Sequence, residues 1–132
     1  MKNRLGFMEE FQEELHKRND AKIERLELQQ QIVEKKDQLL DLTLAASKGD
    51  NIEKLSELKE VKEQIQAVNN DIKDLHKLIK VEKTEFKKLV KNKKIDLAHN
   101  QANQLLSLGE KVNEKLQDKV ELLDEMIAIL SE

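Results

Sequence analysis

The chain has 132 residues and a formal net charge of −3, with 39% charged and 38% hydrophobic residues. Its only aromatic residues are three Phe, and it contains no Pro and no Cys. Such a composition is typical of coiled coils and long helices. It excludes disulfides and thiolate metal sites, and it argues against a large ligand pocket with aromatic walls.

The first predicted helix covers residues 3–46. Phe7, Phe11 and Leu15 follow one another at steps of four residues, and hydrophobic residues continue in two sets along the rest of the helix. One set is Ile23, Leu26, Val33, Leu40 and Leu44, and the other is Leu28, Ile32, Leu39 and Leu42. An apolar surface of this width predicts that the helix contacts two neighbours.

A turn is predicted at residues 47–50. Gly49 suits the left-handed conformation that often follows a helix, and Asp50 with Glu53 matches a capping box. The second helix, residues 51–92, is therefore expected to begin here.

The second predicted helix contains a heptad repeat, which we call the seam. Hydrophobic residues recur at alternating steps of three and four, with Glu82 as the one polar member. The seam residues are Leu58, Val61, Ile65, Val68, Ile72, Leu75, Ile79, Glu82, Phe86 and Leu89. A period of 3.5 residues keeps this face against a partner only when helices supercoil, so the pattern predicts a coiled coil. Glu82 is expected either to reach solvent or to fix the register of the helices.

Three endings of the second helix fit the sequence. Asn92 can adopt the left-handed conformation and Asp96 can cap a following helix, which favours a turn at residues 92–96. Ser107 and Glu110 form a competing capping-box pattern. Alternatively, the helix continues to the C-terminus, which gives a helical hairpin with one very long second helix.

The favoured turn leaves a third helix over residues 96–131. Near its end, hydrophobic residues lie on more than one face: Leu122, Leu123, Met126, Ile127, Ile129 and Leu130. Because such a segment needs a cover, we expect these residues, with the broad apolar face of the first helix, to take part in self-association, with a dimer favoured.

Turns at these positions give three helices of similar length. We predict an antiparallel three-helix coiled-coil bundle in which residues 1–132 form a single elongated domain. In this arrangement Phe7 and Phe11 meet Phe86 and Leu89 at one end, which brings all three Phe together.

Residues 73–94 carry nine Lys and three acidic residues, whereas residues 95–132 carry three Lys and eight acidic residues. Six lysines lie on the helix face away from the seam and form a basic stripe: Lys73, Lys77, Lys80, Lys87, Lys91 and Lys94. This stripe could bind phosphates of a nucleic acid without reading base sequence. A solvated helix face is the favoured interpretation, because the stripe has no Arg and no stacking aromatic residue.

No catalytic, cofactor or metal site is expected. The Ser residues are scattered, and the sequence has neither a Gly-rich phosphate loop nor a strand pattern. Glu13 with His16 and Asp96 with His99 have the spacing of helical di-iron sites, but the helix lengths place the two pairs at different levels. We expect His16, His76 and His99 to lie on the surface.

These patterns favour a non-enzymatic structural, assembly or adaptor protein that acts through protein–protein contacts and self-association. A nucleic-acid-associated accessory protein using residues 73–94 is the alternative, and an inhibitor or chaperone of one partner protein is a further one. The Lys, Asn, Ile and Glu usage suits a bacterial or phage accessory protein. No apolar run reaches membrane-spanning length, and we expect a cytoplasmic location.

Overall fold

The structure, a computed structural model, describes residues 2–49 and 52–132. All regular secondary structure in these two ranges is helical: α1 (Lys2–Glu10), α2 (Gln12–Lys48), α3 (Ile52–Lys91) and α4 (Ile95–Ser131). The prediction of an all-α protein is therefore confirmed. Across the same ranges, every helix is too short or too polar to span a membrane.

The first predicted helix is interrupted at Phe11, which separates α1 from α2. Phe11 has φ −106° and ψ 20°. Helical hydrogen bonds nevertheless continue through it, from the Phe11 amide to the Phe7 carbonyl (2.9 Å) and from the Leu15 amide to the Phe11 carbonyl (2.8 Å). The Phe11 side chain is only 2% exposed. We attribute the interruption to the packing of this ring, which local sequence does not encode.

The turn after α2 lies where the sequence predicts it, but Gly49 does not have the predicted conformation. Its φ of −111° and ψ of −161° are extended, not left-handed. The Ser47 hydroxyl donates to the Leu44 carbonyl at 2.8 Å, so one carbonyl of the last turn is satisfied by a side chain. Asp50, and with it the predicted capping box, lies outside the described residues.

A turn follows α3 as predicted, but the left-handed residue is Lys93 and not Asn92. Lys93 has φ 59°. The Lys94 amide donates to the Leu89 carbonyl at 2.9 Å, and the Lys93 amide donates to the Val90 carbonyl at 3.0 Å. This pair of hydrogen bonds is a Schellman motif, whose geometry requires the left-handed residue one position later than predicted. Correspondingly, α4 begins at Ile95, before the predicted cap residue Asp96.

α4 continues through Gly109, so the competing turn at residues 107–110 is wrong. The single helix from residue 51 to the C-terminus is also wrong, because α3 ends at Lys91. Gly109 is instead a point of close approach. Its carbonyl accepts a hydrogen bond from Arg25 Nη2 at 3.2 Å, and a Cβ at this position would lie 3.2 Å from the same nitrogen.

α4 is the central helix of the bundle. It contacts α2 and α3 extensively, whereas α2 and α3 contact each other at few positions. Ten residues of α4 are buried, compared with four of α2 and three of α3. Both outer helices therefore bury their apolar faces mainly against α4.

Side-chain contacts show how the helices run relative to one another. On α2 and α4 the residue numbers of contacting pairs rise together: Glu14 with His99, Arg25 with Asn113 and Lys35 with Asp124. On α3 and α4 one number falls as the other rises: Glu82 with Gln101 and Asp71 with Lys115.

The three Phe meet at one end of the bundle, as the sequence predicts. The ring centroid of Phe86 lies 6.2 Å from that of Phe7 and 5.3 Å from that of Phe11. Both pairs are edge-to-face, a favourable arrangement of aromatic rings.

None of the ten seam residues is exposed. Leu58, Val61 and Val68 are buried, and the other seven, from Ile65 to Leu89, are half-buried. The seam is therefore best covered near the start of α3 and less well covered toward the end that holds the Phe cluster.

The two apolar sets of the first helix differ in burial. Leu28, Ile32 and Leu39 belong to the buried core. The other set, which we call the outer face of α2, is 48–66% exposed and comprises Ile23, Leu26, Val33, Leu40 and Leu44. The first helix does contact two neighbours, α4 extensively and α3 at few positions, but the outer face remains exposed.

Candidate functional site

A groove of about 880 Å³ opens between α2 and α3 at the end that holds the Phe cluster. Ala102, Leu105 and Leu106 of α4 form its floor, and Leu15 and Phe86 extend the apolar surface onto its walls. The groove exists because α2 and α3 pack on α4 but scarcely on each other. We call it the cationic groove.

The charges that line this groove are almost all positive. Among the described residues that line it, Glu14 is the one acidic residue, and the basic residues are Arg18, Lys22 and Arg25 on α2 and Lys83, Lys87 and Lys91 on α3. Like charges on opposite walls repel, and a negatively charged ligand would relieve that repulsion. Together with the apolar floor, the rim fits a ligand that is apolar on one side and acidic along its edges.

The basic stripe lies partly in this groove. All six of its lysines are exposed. Lys87 and Lys91 line the groove, whereas the other four stripe lysines do not. Anion binding by the stripe stays a prediction. The other four groove cations, Arg18, Lys22, Arg25 and Lys83, do not follow from the sequence pattern, because only the spacing between α2 and α3 brings them together.

Glu82, the polar member of the seam, is paired with a side chain of α4. The Gln101 amide donates to the Glu82 carboxylate and, at 3.1 Å, to the Glu82 carbonyl. Gln101 is only 8% exposed. Of the two roles expected for Glu82, the structure favours fixing the register of α3 against α4.

A second polar contact fixes α2 against α4. The Arg25 guanidinium donates to Asn113 Oδ1 at 3.1 Å, and Asn113 Nδ2 donates to the Ala21 carbonyl at 3.0 Å. Asn113 is 2% exposed, and buried polar groups of this kind are costly unless they are paired. This contact also holds one cation of the groove in place.

No protein-family model, curated protein or solved structure matches this chain.

His99 joins α4 to the N-terminal helices. Its Nε2 lies 2.7 Å from Glu10 Oε1, and its Nδ1 forms a hydrogen bond with Glu14. Its ring lies on Phe11, with centroids 4.4 Å apart. Hydrogen bonds to Glu10 and then Glu14 raise the pKa of His99 above 6.5, against the opposing effect of burial.

The predicted surface location is correct for His16 and His76, which are exposed, but His99 is partly buried. Its hydrogen-bond partners are Glu10 and Glu14, whereas the sequence spacing pairs His99 with Asp96. In residues 2–49 and 52–132, no group of three or more His, Cys, Asp or Glu side chains is placed to hold a metal ion.

We expect the raised pKa of His99 to make the protein more stable at low pH. A group whose pKa is raised on folding contributes its full stabilisation below the unfolded value and loses it as pH rises through the folded value. The free energy of unfolding should therefore fall by about 1 kcal/mol between about pH 6 and pH 9, a modest effect because the pair is partly solvated. Urea denaturation at the two pH values measures this change.

Replacing His99 with Asn should remove most of that pH dependence, whereas the same substitution at the exposed His76 should preserve it. An unchanged pH dependence in the His99 variant would show that its contacts with Glu10 and Glu14 do not stabilise the fold.

The apolar segment predicted to self-associate is largely covered by its own chain. Leu123, Met126 and Leu130 are buried in the core, and Leu122, Ile127 and Ile129 are half-buried against it. Their contact with a second copy stays a prediction. The outer face of α2 leaves more hydrophobic surface exposed than this segment does.

Proposed function

We propose that this chain is a non-enzymatic adaptor or assembly protein, built as an antiparallel three-helix coiled-coil bundle, that acts through protein–protein contacts and self-association. The observation that carries the proposal is the cationic groove. Its occupant is an acidic amphipathic helix of a partner protein, with apolar residues on the groove floor and carboxylates against the rim.

The length of the groove supports a helical occupant. The α1 and α2 residues that line it extend from Phe7 to Arg25, about 18 residues or about 27 Å along a helix. An amphipathic helix laid in a hydrophobic groove is a recurrent mode of peptide recognition. Here it would pack on α4 between α2 and α3, and it would cover the half-buried part of the seam.

The apolar floor favours a peptide over a nucleic acid. A phosphate backbone would use the lysines but would leave Leu105 and Leu106 without an apolar partner. The Phe rings already pack against one another, which limits base stacking of the kind that single-stranded nucleic acids require. Nucleic-acid binding through the basic stripe is therefore the second candidate.

A synthetic acidic peptide tests the proposal. The probe is an amphipathic helix of about 18 residues with Leu on one face and Glu on its flanks, and the control peptide has Lys in place of Glu. We expect the Glu peptide to bind the full chain, with affinity that falls as salt rises, and the Lys peptide not to bind. Equal binding of both peptides would contradict the proposed charge recognition.

Two charge-reversed variants locate the binding site. Replacing Lys83 and Lys87, which line the groove, with Glu should weaken peptide binding by at least about tenfold, or about 1.4 kcal/mol. The same change at Lys73 and Lys77, exposed on the same helix outside the groove, should have little effect. The nucleic-acid candidate makes a different prediction. The chain would bind single-stranded RNA and not the peptide, and both charge-reversed variants would weaken RNA binding equally.

A further inference from the structure

The outer face of α2 is a second heptad repeat, separate from the seam of α3. Ile23, Gln30, Asp37 and Leu44 occupy its a positions, and Leu26, Val33 and Leu40 occupy its d positions. The residues that α2 buries against α4, such as Leu28, Ile32 and Leu39, fall at c and f, on the opposite side of the helix. α2 therefore presents one apolar face to its own chain and another to solvent.

The charges beside this face identify its occupant. The e positions are acidic, at Glu27, Glu34 and Asp41, and the g positions are Lys22, Gln29, Lys36 and Thr43; all of these except Thr43 are exposed. In a parallel pair of helices, each g residue faces the e residue five positions later in the other helix, and such pairs set partner choice and orientation.

A second copy of α2 satisfies this rule. In a parallel pair, Lys22 faces Glu27, Gln29 faces Glu34 and Lys36 faces Asp41 of the second copy, and the two-fold axis repeats each pair. An antiparallel pair would instead place e beside e and g beside g, so that carboxylates oppose carboxylates and lysines oppose lysines. The charges at the e and g positions are thus complementary to a parallel copy and repulsive to an antiparallel one.

We propose that two copies of this chain associate through the outer faces of their α2 helices, packed in parallel about a two-fold axis. This inference rests on the self-association in the proposed function and specifies its surface. The interface is isologous, since each copy contributes the same patch. It occupies residues 22–44, whereas the cationic groove uses residues 7–25 of the same helices, so Lys22 is the residue that the two surfaces share.

Two features of the outer face shape this dimer. Asp37 would meet its own counterpart at a polar a position, which lowers affinity while fixing the register. Lys36 lies beside Lys119 of its own chain, and the pKa of Lys119 is lowered by burial and by that neighbouring charge. Pairing of Lys36 with Asp41 of the second copy would offset the repulsion between the two lysines.

Sedimentation velocity over a wide concentration range tests the surface. We expect the wild-type chain to reach twice its monomer mass of 15.4 kDa. Val33→Asp should weaken the dimer by about a hundredfold, because both copies then carry a carboxylate at a d position, and the d positions are otherwise all apolar. Val81→Asp is the matched control: Val81 is 63% exposed and Val33 66% exposed, and the control should remain dimeric with unchanged helix content.

A charge swap tests the orientation. Lys36→Glu should weaken the dimer by about tenfold, and adding Asp41→Lys to it should restore the dimer, since the reversed pair is again complementary. Neither change is expected to unfold the monomer, because both side chains are exposed. If the double variant is weaker than Lys36→Glu alone, the parallel arrangement is wrong.

The outcomes separate this inference from the proposed function. A dimer that survives Val33→Asp would overturn the α2 interface and leave self-association to another surface, such as residues 122–130. A wild-type chain that is monomeric at every concentration would overturn self-association itself, and the α2 interface with it, while peptide binding in the groove would be tested independently.

Discussion

Replacement of Phe11 by Ala is expected to lower the free energy of unfolding by about 3–5 kcal/mol, the range for removing a buried aromatic side chain. Phe11 is 2% exposed, and its ring centroid lies 4.9 Å from that of Phe7, 5.3 Å from that of Phe86 and 4.4 Å from that of His99. The rings around the cavity belong to three helices, α1, α3 and α4, so it cannot close by the movement of one side chain.

Urea denaturation followed by circular dichroism measures this loss. Leu5→Ala is the control, since Leu5 is 66% exposed and its truncation should change the free energy of unfolding by less than about 0.5 kcal/mol. If Phe11→Ala destabilised the protein no more than the control, the Phe cluster would not be part of the stable core, and the groove beside it would lack a fixed wall.

Replacement of Glu82 by Leu is expected to destabilise the protein, although a hydrophobic residue at this seam position would complete the heptad. The substitution leaves the buried amide of Gln101 without its carboxylate acceptor, with the Glu82 carbonyl as its remaining partner. Leaving a buried donor inadequately paired costs about 1–3 kcal/mol. The melting midpoint should therefore fall.

Two further variants isolate this effect. Glu85→Leu changes an exposed carboxylate of the same helix and should be nearly neutral. Combining Glu82→Leu with Gln101→Leu replaces both partners by apolar groups, which should recover most of the lost stability. A higher melting midpoint in the single Glu82 variant would mean that Glu82 only reaches solvent and that its contact with Gln101 contributes nothing.

The sequence predicts the helices well because their signals are local and repeated. The heptad from Leu58 to Leu89 predicts a helix with one covered face, and none of its residues is exposed. The meeting of Phe7, Phe11 and Phe86 follows from matching helix lengths. Turn details are harder to predict, because moving the left-handed residue from Asn92 to Lys93 depends on two backbone hydrogen bonds.

The candidate site is much less visible in the sequence. Two apolar faces of one helix look alike in a linear pattern, so nothing local indicates that Leu28 is buried while Leu26 is exposed. The groove depends on the distance between α2 and α3, which is set by how each packs on α4. Likewise, Arg18 and Lys83 line the same groove only because α2 and α3 both pack on α4.

The central position of α4 also predicts the order in which the helices pack during folding. Contacts between α3 and α4 close short loops, as in Glu82 with Gln101, 19 residues apart, whereas Arg25 and Asn113 are 88 residues apart. Closing the longer loop loses more chain entropy, and contacts between distant residues slow folding. The α3–α4 hairpin is therefore expected to form first, and α2 docks afterwards onto a surface that does not exist until α4 has been synthesised.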